Sequence, residues 1–151
     1  MTPPTEITIF GEVLFDHFPD GQAVLGGAPF NVAWHLQAFG TQPLLISRIG
    51  EDDEGQRIQS AMREWGLRCE GLQVDANHPT GRVTIRLDSS GEPMYTVEPE
   101  VAFDYIKPPS HATIGLLYHG SLALRGAVSA ASFQEILQRH HGAVFLDVNL
   151  R

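Results

Sequence analysis

Short apolar runs that stop at glycine alternate along this chain with segments whose apolar residues recur at helical spacing, and that alternation restricts the fold more than any other feature. Ile7–Phe10 form one run, ending at Gly11, and residues 43–49 form another, ending at Gly50. Both read as strands buried on two faces. Between them Val32, Leu36 and Phe39 fall at i, i+4 and i+7, with Phe30 and Trp34 on an adjoining stripe. This predicts a helix covered on more than one side and ended by Gly40. A second helix is expected from Ile58, Ala61, Met62 and Trp65, with Asp52, Asp53 and Glu54 at its start and Gly66 at its stop. A third follows from Phe133, Ile136, Leu137 and His140, closed by Gly142, with strands at 115–122 and 143–148 on either side. Strand, helix and strand alternating in this way favour an α/β fold with a parallel sheet and helices on its faces.

The middle of the chain follows a different period. In TGRVTIRLDSSGEPMYTVEP, Arg82, Thr84 and Arg86 alternate with Val83, Ile85 and Leu87, and the SSGE turn leads into a second run at 94–97. That pattern is a hairpin with one polar and one apolar face, unsuited to the interior of a parallel sheet. It reads as a separate flap over the main sheet, paired with the extended segment 15–25. Its apolar face requires cover from a ligand, the main sheet or a partner chain.

Composition sets the outer limits. The 151 residues suffice for one domain with a real core, and 42% apolar with 19% charged residues is typical of globular proteins. A formal net charge of -8 disfavours nucleic acid as a partner, no apolar run is long enough to span a membrane, and the first residues lack a basic leader. A cytoplasmic protein is the expectation. The single cysteine, Cys69, has no internal partner for a disulfide and reads as a small buried side chain.

Three constellations carry polar chemistry. Gly26 and Gly27 open directly onto the first helix in VLGGAPFNVAWHLQAFG, so backbone amides can approach a ligand there, and Asn31 offers donors and an acceptor suited to sugar hydroxyls. The same residues also fit a tight strand-to-helix turn capped by Asn31. The spacing is not G-x-G-x-x-G and does not follow the first strand, which argues against a dinucleotide-binding dehydrogenase. Asp16 leaves the carboxyl end of the first strand, the edge where open α/β sheets bind ligands, and is either a hydroxyl acceptor or an ordinary loop aspartate. At the end of the chain Asp147, Asn149 and Arg151 alternate with Val148 and Leu150, placing three polar groups on one strand face, with Arg151 suited to an anion. The trio Asp52, Asp53 and Glu54 fits helix-dipole compensation better than a magnesium site. The histidines are scattered, the pair His140 and His141 falls at a helix end, and no metal-ligand set emerges.

Taken in order, GEVLFDHFPDG, the glycine-pair motif, ISRIGEDDEGQRI, PTGRVTIRLDSSGE, VAFDYI, HGSLAL and FLDVNLR resemble the ribokinase-like (PfkB) sugar kinases, in particular their bacterial fructokinase-like branch. The resemblance implies a ribokinase-like αβα sandwich, of which residues 1–151 form the amino-terminal portion, with a small β lid from segments near 13–25 and 80–99. It implies transfer of the ATP γ-phosphoryl group to a hydroxyl of a small sugar, fructose above others, with ATP and Mg2+ as cofactors. Asp16, Gly26, Gly27 and Asn31 are then expected to hold the sugar, and Asn149 and Arg151 to approach the sugar or the transferred phosphoryl. The family's G-A-G-D signature, which supplies the catalytic base and an anion hole, is absent from these residues. The base is therefore expected beyond Arg151, and the 151 residues are expected to be inactive alone. A non-catalytic sugar-binding or interaction protein is the competing expectation. Homodimerisation through the lid strands or the last strand is expected as well, because an uncovered strand edge tends to pair.

Overall fold

The computed structural model describes residues 6–110 and 113–149. Nine strands run in the order β1 (Ile7–Phe10), β2 (Leu14–His17), β3 (Ala23–Gly26), β4 (Leu44–Gly50), β5 (Leu72–Asp75), β6 (Gly81–Leu87), β7 (Pro93–Val97), β8 (Ile114–His119) and β9 (His141–Leu146). Helix α1 (Ala28–Ala38) precedes β4, α2 (Asp53–Trp65) lies between β4 and β5, and α3 (Ala127–Arg139) joins β8 to β9. Two 3-10 turns, Ala102–Tyr105 and Leu122–Arg125, complete the described elements.

The strands form two sheets. The larger is parallel throughout with the order β5-β4-β1-β8-β9, and the smaller has the order β3-β2-β6-β7. Successive residues of a strand point to opposite faces, so the large sheet feeds two apolar clusters. Ile9, Leu45 and Ile49 meet Phe30 and Ala33 of α1 and Ile58 and Met62 of α2. Phe10, Leu44, Ile46 and Leu117 meet Phe133 and Ile136 of α3 on the other side. This three-layer arrangement is the one that strand–helix alternation predicts. Among the described residues no helix is long and apolar enough to cross a membrane.

The hairpin of β6 and β7 belongs to the small sheet, where β6 pairs in parallel with β2 and β2 pairs antiparallel with β3. Its turn is held by the Asp88 carboxylate, which accepts the Ser90 and Glu92 amides at 2.8 and 2.9 Å. Val83 and Ile85 are buried, but Leu87 at the tip is 59% exposed.

Several boundaries differ from the sequence expectation. The strand expected at 115–122 stops at His119, because its partner β1 ends at Phe10, opposite His119. The chain then breaks at Gly120 and Ser121 into a 3-10 turn. Gly142 does not close α3: the helix ends at Arg139, and Gly142 lies inside β9 opposite Gly115. The two backbones approach so closely there that a Cβ on Gly142 would overlap the Gly115 carbonyl. The strand expected at 143–148 accordingly spans His141–Leu146. The His140 amide donates to the Leu137 carbonyl, but its ring turns away from the helix end and bonds Thr113 and the Ala143 carbonyl. Phe39 lies just beyond the last turn of α1 and is 81% exposed, so the helix buries Pro29, Phe30 and Ala33 instead.

The second helix matches its signals closely. Asp52 is its N-cap, accepting the Gly55 amide at 2.7 Å, and Gly66 ends it in the left-handed conformation at φ 78°. Asp52 also accepts the Thr80 amide at 2.8 Å and the Thr80 hydroxyl at 2.6 Å, which ties the start of α2 to the residue before β6. Burial works against its ionisation, but the Thr80 hydroxyl and the two amides outweigh burial and hold the carboxyl below its ordinary range. Capping, more specific than general dipole compensation, is the role of this residue.

Candidate functional site

Strand order locates the site. From β1 the chain moves outward to β4 and β5, then returns to the other side of β1 for β8 and β9. The carboxyl ends of β1 and β8 therefore flank a reversal in strand order, and the segments leaving them diverge and open a crevice. Residues just after β1 (Glu12) and just after β8 (Gly120, Ser121) line a cavity of about 400 Å³ at that point. This volume falls within the roughly 300–1,000 Å³ usual for small-molecule sites.

The small sheet forms the facing wall. Leu14 and Asp16 of β2, Val83 of β6, and Tyr95 and Val97 of β7 lie on one face of it and line the cavity. Asp16 lies within β2, opposite Val24 and Val83, and is not a loop residue. Beside it, a Cβ on Gly26 would stand 2.9 Å from the Asp16 Oδ2. Gly26 thus leaves room for that carboxylate, although it does not itself line the cavity.

The start of α1 forms the third wall. Gly27 is the N-cap at φ 107°, a conformation that an L side chain resists, and a Cβ there would lie 2.7 Å from the Glu12 carbonyl oxygen. Gly27, Ala28 and Asn31 line the cavity. No side chain caps this helix: Asn31 gives only its backbone amide to the Gly27 carbonyl at 2.8 Å, and the residue is exposed. Of the two readings the sequence allowed, the capping one is therefore not realised.

The last segment supplies Asn149. The expected alternation of Asp147, Asn149 and Arg151 along a strand is broken, because β9 ends at Leu146 and the next residues turn. Asp147 accepts the Asn149 amide at 2.9 Å and the Tyr118 hydroxyl at 2.8 Å, while Asn149, at φ 47°, lines the cavity. Burial and this bond to Asp147 push the Tyr118 hydroxyl well above the usual phenol range. Arg151 lies outside the described residues.

The structure thus brings Asp16, Gly27, Asn31 and Asn149 to one cavity, with Gly26 behind Asp16. Sequence reasoning missed Glu12, Tyr95 and the Gly120–Ser121 break. The HGS tripeptide after an apolar run was the available signal for the last of these, since small polar residues at the carboxyl end of a parallel strand mark a ligand edge. Among the described residues lining the cavity, the ionisable groups are two carboxyls, Glu12 and Asp16, and the Tyr95 phenol, with no lysine, arginine or histidine. Such a wall accepts hydrogen bonds from hydroxyl groups and repels anions. His119, at the end of β8, is buried against Phe133, and that burial pushes it below the ordinary histidine range.

A three-layer α/β body thus carries a crevice roofed by a second sheet and lined with amide and carboxylate groups. Residues 5–150 match the pfkB family carbohydrate kinase pattern, and the chain belongs to that family. Fructokinase of Klebsiella pneumoniae is 29% identical over 157 residues, covering 97% of this chain and 51% of that protein. The structure of Vibrio cholerae O395 fructokinase in its apo form superposes with a TM-score of 0.84 at 28% identity, covering 97% of this chain and 54% of the other. A double-mutant form of that fructokinase with fructose, ADP and potassium ion bound superposes with a TM-score of 0.81 at 26% identity, covering 98% of this chain and 51% of the other. The fold is that of the ribokinase-like sugar kinases, and the chain spans about half the length of the relatives it matches.

Proposed function

We propose that this chain forms the sugar-binding portion of an ATP-dependent kinase that phosphorylates a hydroxyl of a small neutral sugar, with fructose as the substrate. The observation that carries this reading is the convergence of Asp16, Gly27, Asn31 and Asn149, from three separate segments, on one cavity beneath the small sheet. A carboxylate and two carboxamides can pair several hydroxyls of one sugar, and the excess of negative charge disfavours sugar acids and sugar phosphates. Family membership and the fructokinase relatives support fructose in particular. The small sheet, at 14–26 and 81–97, acts as the lid that excludes water from the bound sugar.

The described residues do not fit the nucleotide or its metal ion. Among the described residues the cavity wall carries no cationic side chain, and no three His, Cys, Asp or Glu side chains group as a metal site. No step through ATP or Mg2+ follows from these residues, and their part is to bind and orient the sugar. Residues 1–151 alone are accordingly proposed to hold sugar without transferring phosphate, a property that a non-catalytic sugar-binding protein would share.

Calorimetric titration with fructose, run beside an assay of ADP release with ATP and magnesium, tests this. Fructose binding that is lost in Asn31→Ala supports the site. A protein that binds neither fructose nor another neutral sugar refutes it, and sugar-dependent ADP release by residues 1–151 alone refutes the division of labour.

A further inference from the structure

Glu12 is a cavity residue that the proposed sugar contacts leave unused. It follows β1 at the strand's carboxyl end, is 4% exposed, and its Oε2 atom has no hydrogen-bond partner among the described residues. Its carboxyl lies where three segments meet. The backbone amides of Glu12 itself, of Ala28 in the first turn of α1, and of Ala123 in the 3-10 turn after β8 all face it. A Cβ on Gly120 would stand 3.8 Å from Oε2, and the Glu12 carbonyl oxygen lies directly under Gly27. One residue therefore reaches, from below, both the turn that leads to Asn31 and the segment that carries Ser121.

An incompletely paired carboxyl in such a place is costly to ionise. Burial pushes the Glu12 carboxyl above its ordinary range, and the three amides and the Arg125 guanidinium pull it only part of the way back. The other titratable groups around it are Asp16 on β2, Tyr118 on β8, which feels the Glu12 charge, and His119 beside Gly120. For stability alone a neutral side chain of the same shape would serve as well or better. What an ionised carboxyl adds is attraction for amides from two different walls toward one point.

The geometry points to Glu12 as a positioning residue of the sugar site, a carboxylate tie that sets the N-terminus of α1 against the 3-10 turn after β8 and so fixes the spacing of Asn31 and Ser121 across the ligand. This rests on the sugar-binding reading above.

The test compares Glu12→Gln with the parent protein by thermal unfolding, fructose calorimetry from pH 5 to 8, and pH titration of the Ala28 and Ala123 amide signals by NMR. In the parent the two amides are expected to shift together through one apparent pKa above the usual glutamate range, and in Glu12→Gln to stay still. With its folded-state pKa raised, Glu12 lowers stability as it ionises. Glu12→Gln should therefore unfold no lower than the parent at pH 8, yet bind fructose about tenfold more weakly. It should also lose the parent's gain in affinity with rising pH. Parent-like affinity and pH profile in Glu12→Gln, or a lower unfolding temperature with affinity unchanged, would overturn the proposal. If the parent binds no sugar, the sugar reading fails while the amide titration still decides the tie: a common titration supports it, and separate or absent titrations refute it.

Discussion

Replacing Asp75 by asparagine should remove a measurable part of the fold's stability, and the loss should vanish in acid. Asp75 ends β5 and is 2% exposed. Its carboxylate forms an ion pair with the Arg48 Nε at 2.8 Å, accepts the Asn77 amide at 2.8 Å, and pairs with the His78 Nδ1 at 2.9 Å. Burial alone would raise its pKa, but the Asn77 amide, the His78 ring and the Arg48 guanidinium outweigh burial and pull it from 3.8 to about 2. At roughly 1.4 kcal/mol per pKa unit that displacement corresponds to about 2–3 kcal/mol. The Arg48 and His78 side chains are 18% and 26% exposed. Solvent screening therefore lowers the expectation to about 1–2 kcal/mol, or a fall of roughly 3–8 °C in unfolding temperature. Arg48 keeps its bond to the Tyr105 carbonyl at 3.2 Å, so the substitution does not strand it. A carboxyl with a depressed pKa contributes its stability above the unfolded-state value and loses it as pH falls through the folded-state value. The gap between parent and Asp75→Asn should thus be full at pH 6–7 and close progressively between about pH 5 and pH 2. Thermal or urea unfolding of both proteins across that range is the assay. A gap that stays constant down to pH 2.5 would show that the carboxylate charge is not what Arg48 and His78 recognise.

Three further perturbations test other parts of the structure. Asp16→Asn keeps the shape of the side chain but removes its charge, and fructose affinity measured by calorimetry should fall about tenfold or more; an unchanged affinity would remove Asp16 from the site. Gly27→Ala places a methyl group 2.7 Å from the Glu12 carbonyl in a left-handed backbone, so urea unfolding should show a loss of about 1–3 kcal/mol together with weakened sugar binding. Asp52→Ala removes a helix cap and both bonds to Thr80, and chemical denaturation should show about 2 kcal/mol of destabilisation, with a loss below 0.5 kcal/mol counting against the tie between α2 and β6.

Elements with a local signature were legible in the sequence. The apolar run before Gly11, the i, i+3, i+4, i+7 pattern with its Asp52 start and Gly66 stop, and the alternation of β6 each arise from one segment choosing its buried face. Where two segments had to agree, local pattern misled. The end of β8 was set by the length of β1, and Gly142, read as a helix stop, answers the close approach of Gly115 in the neighbouring strand. Asp147 looked like part of an alternating strand face, but a turn that bonds Asn149 and an available Tyr118 hydroxyl captured it.

The candidate site divides along the same line. By itself the sequence determined that Asp16, the Gly26–Gly27 pair and Asn31 are polar or permissive residues at strand and helix ends, because chemical type and local period are properties of short stretches. Only the tertiary structure decided that Asp16 faces into the cavity from β2, that Asn31 is free of capping duty, and that Asn149 joins them from more than a hundred residues away. It alone placed Glu12 and Ser121 beside them, since both depend on the reversal of strand order between β1 and β8. Burial and proximity are properties of pairs of segments, and no single segment encodes which partner it will meet.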